Sequence, residues 1–257
     1  MLSSDSQVPP GAPPSHARHS GLRANLYRAV RRGTFLKALC GQEPFHWVSL
    51  EPDIVEFGSS YGRWAVNSSG LSPATKMLCF GLGQDISFEQ AVMQHFGCSI
   101  AGFDPTPASV AYVESLGPIP GLSVFSVALA ERDGTLEFRL PPHDAADQVS
   151  ASASADYKGQ PSISVRGLTL RSAFQLCGIH RPDIIKMDIE GAEYGVLHRA
   201  LDEGTLDGVS QLMVEFHHFL PGLQPSQTRQ IIARLSAAGF RIGWVGRTNH
   251  EYLFVRP

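Results

Sequence analysis

The chain begins without periodicity and becomes regular only from Lys76 onward. From there short apolar runs alternate with helical patterns that start at Ser, Thr or Pro and stop at Gly. Met77 to Phe80 reads as a buried strand. The helix predicted after it opens at Ser87 with Gln90 as capping-box partner, places Phe88, Ala91, Val92 and Phe96 on one face, and closes at Gly97. Ser99 to Phe103 predicts a second strand and Leu122 to Ala130 a third. The helix between them is capped by Thr106, carries Pro107 at its first position, and turns Val110, Val113 and Leu116 inward. Asp133-Gly134 is a hairpin signal with Thr135 to Leu140 as the returning strand. After an aperiodic Ala/Ser-rich loop over Pro141 to Pro161 the pattern resumes with a strand over Ile163 to Val165 and a helix over Thr169 to Cys177. Ile184 to Met187 is the fourth parallel strand, and the helix after it turns Ala192, Val196, Leu197 and Ala200 inward. Leu212 to Phe216 is the fifth strand, and Ser226 to Ala238 a helix. Phe240 to Val245 and Tyr252 to Val255, joined by a short turn, must be antiparallel, because a parallel crossover needs a dozen residues or more. The predicted fold is α/β: a mostly parallel seven-stranded sheet ending in an antiparallel hairpin, with helices on both faces.

The first part of the chain differs. Met1 to Ser20 is Ser, Pro, Gly and Ala, too poor in apolar surface to offset the entropy of ordering. Leu22 to Leu39 carries five basic residues and no acid. That is the pattern of a short basic surface helix, of a patch for an anionic partner, or of a transit peptide, the last opposed by Asp5 and the Pro-rich start. Residues 1–42 are therefore read as a disordered, basic arm and 43–257 as one domain. In Phe45 to Leu71, Trp47, Tyr61 and Trp64 surround Gly58-Ser59-Ser60-Tyr61-Gly62. A packed hairpin turned at one of these glycines is expected, or a flap over a substrate.

Composition narrows the function. In 257 residues, 21 Lys+Arg against 24 Asp+Glu give a net charge of −3, so overall charge points to no nucleic-acid partner. No apolar run is long enough to span a membrane. Cys40, Cys79, Cys98 and Cys177 form no C-x-x-C pair, which fits a reducing, cytoplasmic compartment and neither a zinc knuckle nor a disulfide framework. The 25 Gly and 18 Pro are mostly punctuation of helices and strands.

Candidate chemistry sits where ligands bind in open parallel sheets, beyond the carboxyl ends of the strands. Gly81-Leu82-Gly83 follows the first strand, where a bare backbone admits a ligand to a helix N-terminus. Asp104 follows the second strand at the offset from which a carboxylate accepts both ribose hydroxyls. The third glycine of a dinucleotide motif is replaced by Ile86, which disfavours a nicotinamide cofactor. It leaves room for a ligand with a ribose but no phosphate, such as S-adenosyl-L-methionine. Asp188, Glu190, Glu215 and His217 end the fourth and fifth strands, His218 beside them. They form a candidate general base and acceptor clamp, or a divalent-cation site, with no spacing diagnostic of a metal. Glu193, one turn on, reads as a helix-surface or loop-anchoring residue.

The stretch Lys186-Met187-Asp188-Ile189-Glu190-Gly191-Ala192-Glu193 resembles the K-x-D-x-E-G-A-E motif of FkbM-type S-adenosylmethionine-dependent methyltransferases. Phe103-Asp104-Pro105, Ala128-Leu129-Ala130 and Val214-Glu215-Phe216-His217 support it, and Tyr61-Gly62-Arg63-Trp64 resembles the methyltransferase-like branch. The resemblance implies a class I methyltransferase fold, S-adenosyl-L-methionine held by Gly81, Gly83, Asp85, Asp104 and Ala128, and O-methylation of a small-molecule or sugar acceptor facing Asp188 and His217. The long loop over Pro141 to Pro161 is expected to close on that acceptor. Cys79 stands where the family carries an acid, for which Asp85 is the expected substitute, and Arg171 stands where it carries another. The alternative class is a methyltransferase-fold binding module without turnover.

Overall fold

A computed structural model describes Ser15–His16, residues 35–139 and residues 162–257. The arm over residues 1–42 and the loop over Pro141 to Pro161 lie largely or wholly outside the described residues. Within the arm, Ser15–His16 (β1) pairs antiparallel with Val55 and Glu56, and residues 35–39 are helical. β2 (Ile54–Phe57) and β3 (Trp64–Asn67) form the expected hairpin. Its aromatics do not pack as a set, since Trp64 is buried while Trp47 and Tyr61 are exposed.

The central sheet is built from β4 (Lys76–Phe80), β5 (Ser99–Phe103), β6 (Leu122–Phe125), β10 (Ile184–Met187), β11 (Gln211–Glu215), β12 (Arg241–Val245) and β13 (Glu251–Val255). Their spatial order is β12-β13-β11-β10-β4-β5-β6. β11, β10, β4, β5 and β6 run parallel, and β13 is antiparallel to both its neighbours. The terminal hairpin is therefore folded back so that its second strand lies inside the sheet. The mostly parallel seven-stranded sheet ending in an antiparallel hairpin, expected from the pattern, is present.

Alternation of side chains along the middle strands divides the core. Met77 and Cys79 face α1 (Ser87–Phe96) and the β2–β3 hairpin. Leu78 and Phe80 face the layer of α3 (Leu170–Cys177), α4 (Glu193–Asp202) and α5 (Pro225–Ala237). Strands buried on both faces read as continuous apolar runs, which is why the pattern placed them correctly.

Other boundaries move. Leu122 to Ala130 is not one strand: the chain leaves the central sheet after Phe125, and β7 (Ala128–Leu129) joins a second sheet of order β7-β9-β8. β8 (Gly134–Arg139) does not return on β7. It pairs antiparallel with β9 (Ser162–Leu168), which runs between them. Asp133 serves instead to start α3: it accepts from the Thr169 N–H at 2.6 Å and the Ser172 hydroxyl at 2.7 Å. Those bonds hold its carboxyl below the usual range. Ser87 is the first residue of α1 and no cap, because its hydroxyl accepts from the Ser59 N–H at 2.8 Å. Thr106 precedes α2 (Pro107–Ser115) but turns its hydroxyl to Asp104 at 2.6 Å, and that helix buries Ser109 and Val113 while Leu116 is exposed. Ala192 occupies the cap position of α4.

One charged residue breaks the apolar run of β10. Lys186 is 4% exposed and points to the α1 side, where its ammonium meets Glu89, itself fully buried, at 3.2 Å. Removing one partner of a buried pair strands the other charge at a cost of about 3–5 kcal/mol, whereas replacing both is often neutral. Lys186→Met is expected to destabilise the chain by about that amount in urea denaturation, and Lys186→Met with Glu89→Leu to recover most of it.

Candidate functional site

The strand order reverses between β4 and β10, and ligands bind at such switch points. Loops 81–85 and 188–192 leave the sheet there side by side. Gly81 has φ +80°, and a Cβ on it would lie 1.8 Å from the Asp188 carbonyl oxygen, so only glycine lets the two loops touch. Glu190 is left-handed without being glycine, at φ 53°, and Gly191 follows at φ 98°. Strain at a non-glycine position belongs to sites that the surrounding structure holds in place. Here the anchor is Glu193: it is fully buried, and its Oε2 accepts from the Gly191 N–H at 2.9 Å. It anchors the loop and is not on the surface.

Above these loops opens a cavity of about 870 Å³. Gly81, Gly83, Asp85, Asp104, Ala128, Asp188, Glu190 and Glu215 all line it. His217 does not. It is 3% exposed and lies behind the acids, its Nδ1 3.3 Å from Glu193 Oε1 and its Nε2 3.5 Å from Glu190 and 3.7 Å from Asp188. It therefore touches the acids from the protein side and positions them.

Asp104 is 5% exposed and saturated. Its Oδ2 accepts from the Leu82 and Gly83 N–H groups, each at 3.0 Å, and its Oδ1 from the Thr106 N–H at 2.9 Å and the Thr106 hydroxyl. A carboxylate offers about four acceptor positions, so a ribose diol would have to displace the two loop N–H groups. Asp85 clasps the β2–β3 hairpin through the Ser59 hydroxyl at 2.5 Å and also accepts from the Ser87 N–H at 2.9 Å. Burial would raise its pKa, but bonds from Ser59, Ser87 and Gly62 outweigh that and hold it low.

Tyr61, Arg63 and Trp64 of the hairpin line the cavity, and the β12–β13 turn adds Arg247, Thr248 and Glu251, wall residues that the sequence did not single out. Glu89 was hidden in the first turn of α1 among apolar neighbours. It brings a buried carboxylate next to Cys79, and burial together with that charge pushes the thiol well up. The signal was an acid on the inward face of an amphipathic helix facing a lysine in a buried strand. Lys186 also donates to the Gly81 carbonyl at 3.2 Å and lies 5.5 Å from the Trp64 ring centroid.

The electrostatics are one-sided: among the described residues, seven acidic side chains line the cavity against three basic ones. Burial, then the charge of Asp188, pushes Glu215 up to about 9, so it carries a proton at neutral pH. Burial also raises Asp188, and Lys186 and His217 oppose the shift. Burial would lower His217, but its hydrogen bond to Glu193 and the charges of Glu193, Asp188 and Glu190 lift it to about 10. Partial burial and the charges of Asp188 and Glu215 raise the Tyr61 hydroxyl.

An α/β fold of this strand order, with an acid-lined cavity at its switch point and a glycine loop in the floor, defines the class as a Rossmann-like methyltransferase domain. The chain belongs to the methyltransferase FkbM domain family, whose model matches residues 75–242. The cofactor of that family is S-adenosyl-L-methionine. Over 159 residues the chain is 28% identical to probable methyltransferase-like protein 24 of Homo sapiens and 26% to that of Rattus norvegicus, in each case 62% of this chain. It spans 37% of the length of these relatives. Among solved structures, Aeropyrum pernix fibrillarin in complex with natively bound S-adenosyl-L-methionine matches at TM-score 0.42 and 10% identity, over 83% of this chain and 85% of that one. No described helix is long and apolar enough to cross a membrane.

Both Glu215 and His217 have folded pKa values above their unfolded ones, about 9 against 4.5 and about 10 against 6.5. A raised group stabilises fully below its unfolded pKa and loses that stability as pH rises through the folded value. The ligand-free protein should therefore lose thermal stability between about pH 4.5 and pH 10, the part due to His217 falling above about pH 6.5, followed as its unfolding midpoint. His217→Gln should flatten the fall.

Proposed function

We propose that the protein transfers a methyl group from S-adenosyl-L-methionine to a hydroxyl of a small-molecule or sugar acceptor, with Asp188 as the base. The supporting observation is the position and state of Asp188: at the switch point, beside the glycine loop, in the cavity wall, with its carboxyl held above the usual range by burial. A carboxylate of raised pKa is a better proton acceptor near neutral pH than an ordinary one.

The donor supplies an electrophilic methyl on a sulfonium. The chain has to hold both reactants in line, receive one proton and exclude water. Gly81 and Gly83 give the backbone close approach, Ala128 and Asp85 bound the floor, and Asp104 shapes the loop from below. As the acceptor oxygen bonds the methyl carbon and the carbon–sulfur bond breaks, the hydroxyl proton passes to Asp188. His217 positions Asp188 and Glu190 from behind, itself fixed by Glu193. Glu215, protonated at neutral pH, can donate to an acceptor oxygen that an ionised acid would repel. The excess of acids matches a cationic donor. The free cysteines, Cys40, Cys79, Cys98 and Cys177, support a reducing compartment.

The competing reading, a binding module without turnover, draws on Cys79 in the place of the family's acid. Buried Glu89 supplies a carboxylate beside it. A screen of metabolite fractions for S-adenosylhomocysteine release decides between them. Turnover with at least one fraction is expected, cut about a hundredfold or more by Asp188→Asn while donor binding persists. Donor binding with no product from any fraction would establish the module instead.

A further inference from the structure

Behind the β12–β13 turn a second group of metal-binding side chains converges, outside the cavity and unused by the chemistry above. We propose that Glu43, His218 and His250 form a Zn²⁺ site that clips the start of the domain to the turn walling the cavity. One ligand atom from each lies within 4.8 Å of the others. Glu43 Oε2 is 3.0 Å from His218 Nε2, and the two imidazole centroids are 5.1 Å apart at 83°. Two imidazoles on one tetrahedral zinc, at Zn–N distances of about 2.0–2.1 Å, put their centroids about 5 Å apart. Two imidazoles and one carboxylate suit zinc, while magnesium and calcium take oxygen ligands.

The surroundings hold the ligands as an outer shell does. The other nitrogen of His218, Nδ1, faces the Thr228 hydroxyl at 3.4 Å, which in turn meets the Tyr194 hydroxyl at 2.9 Å; all three side chains are buried. That bond leaves Nε2 aimed at Glu43. The Glu43 carbonyl accepts from Arg229, and the Pro44 carbonyl accepts from Asn249 Nδ2 at 2.7 Å. Asn249 takes φ 68°, the bend that sets His250 across from His218. The Phe219 ring covers His250 at 4.6 Å between centroids. The three ligands come from segments far apart in sequence, so one ion would close long loops. The turn it would hold contributes Arg247 and Thr248 to the cavity.

The test uses the full chain stripped with a chelator and titrated with zinc against a chromophoric competitor. One equivalent is expected, with affinity reduced at least tenfold in His250→Ala and in Glu43→Gln and unchanged in Asp188→Asn. Cobalt in its place should give the visible absorption of a tetrahedral site, lost in His250→Ala. Thermal unfolding without zinc, alike in wild type and variants, shows that the losses are not misfolding. No uptake, uptake that His250→Ala leaves intact, or uptake abolished by Asp188→Asn, which would place the ion among the cavity acids, overturns the proposal.

Discussion

Beneath the mouth of the cavity a lysine ammonium and a glutamate carboxylate, both out of reach of water, meet at 3.2 Å. Neither charge could be buried alone, since desolvation would cost several kcal/mol per ion. Pairing lets Lys186 stand in the middle of an otherwise apolar strand, where it docks α1 onto β10 and holds the Gly81 carbonyl at the floor of the site. It also puts a fixed positive charge within reach of Asp188 and Cys79. The conformation of loop 81–85 and the ionisation of the acids above it both depend on that pair.

The second constraint is the crowding of carboxylates. Asp188, Glu190, Glu215 and Glu251 share one wall, and like charges in low dielectric cannot all ionise. The wall settles this by keeping the proton on Glu215, lifting Asp188, and inserting His217 as a cation from behind. The pKa values of such neighbours are thereby pushed apart, which separates acid and base roles among chemically similar side chains. The glutamate that fixes His217 also ties down Gly191, so the strained turn after β10 and the charge of the histidine have one common support in Glu193.

The parallel strands, the antiparallel terminal hairpin and the cavity's place at the strand ends were legible because they follow from short-range pattern, whereas the spatial order that puts β13 inside the sheet was not. Buried parallel strands show as runs such as Ile184 to Met187, and the chemistry must lie at their ends. What was hidden depends on contacts between distant residues. Nothing local distinguishes Asp133, which starts a helix 36 residues away, from the hairpin former it resembles. Asp104 lines the cavity after β5, but its four donors come from two separate loops, and only the fold shows that they are already engaged. His217 and Glu215 are two apart in sequence, yet one lies behind the wall and the other in it, because the chain leaves the strand between them. The break after Phe125 was invisible because both halves of Leu122 to Ala130 are equally apolar.

The central claim is that the switch-point cavity holds the methyl donor on the glycine loop and presents its methyl to Asp188. A crystal structure of the protein with S-adenosylhomocysteine tests it most directly. The nucleoside is expected against Gly81, Gly83 and Ala128, with the thioether sulfur turned toward Asp188. A ligand bound away from the glycine loop, or with its sulfur facing away from Asp188, would contradict it.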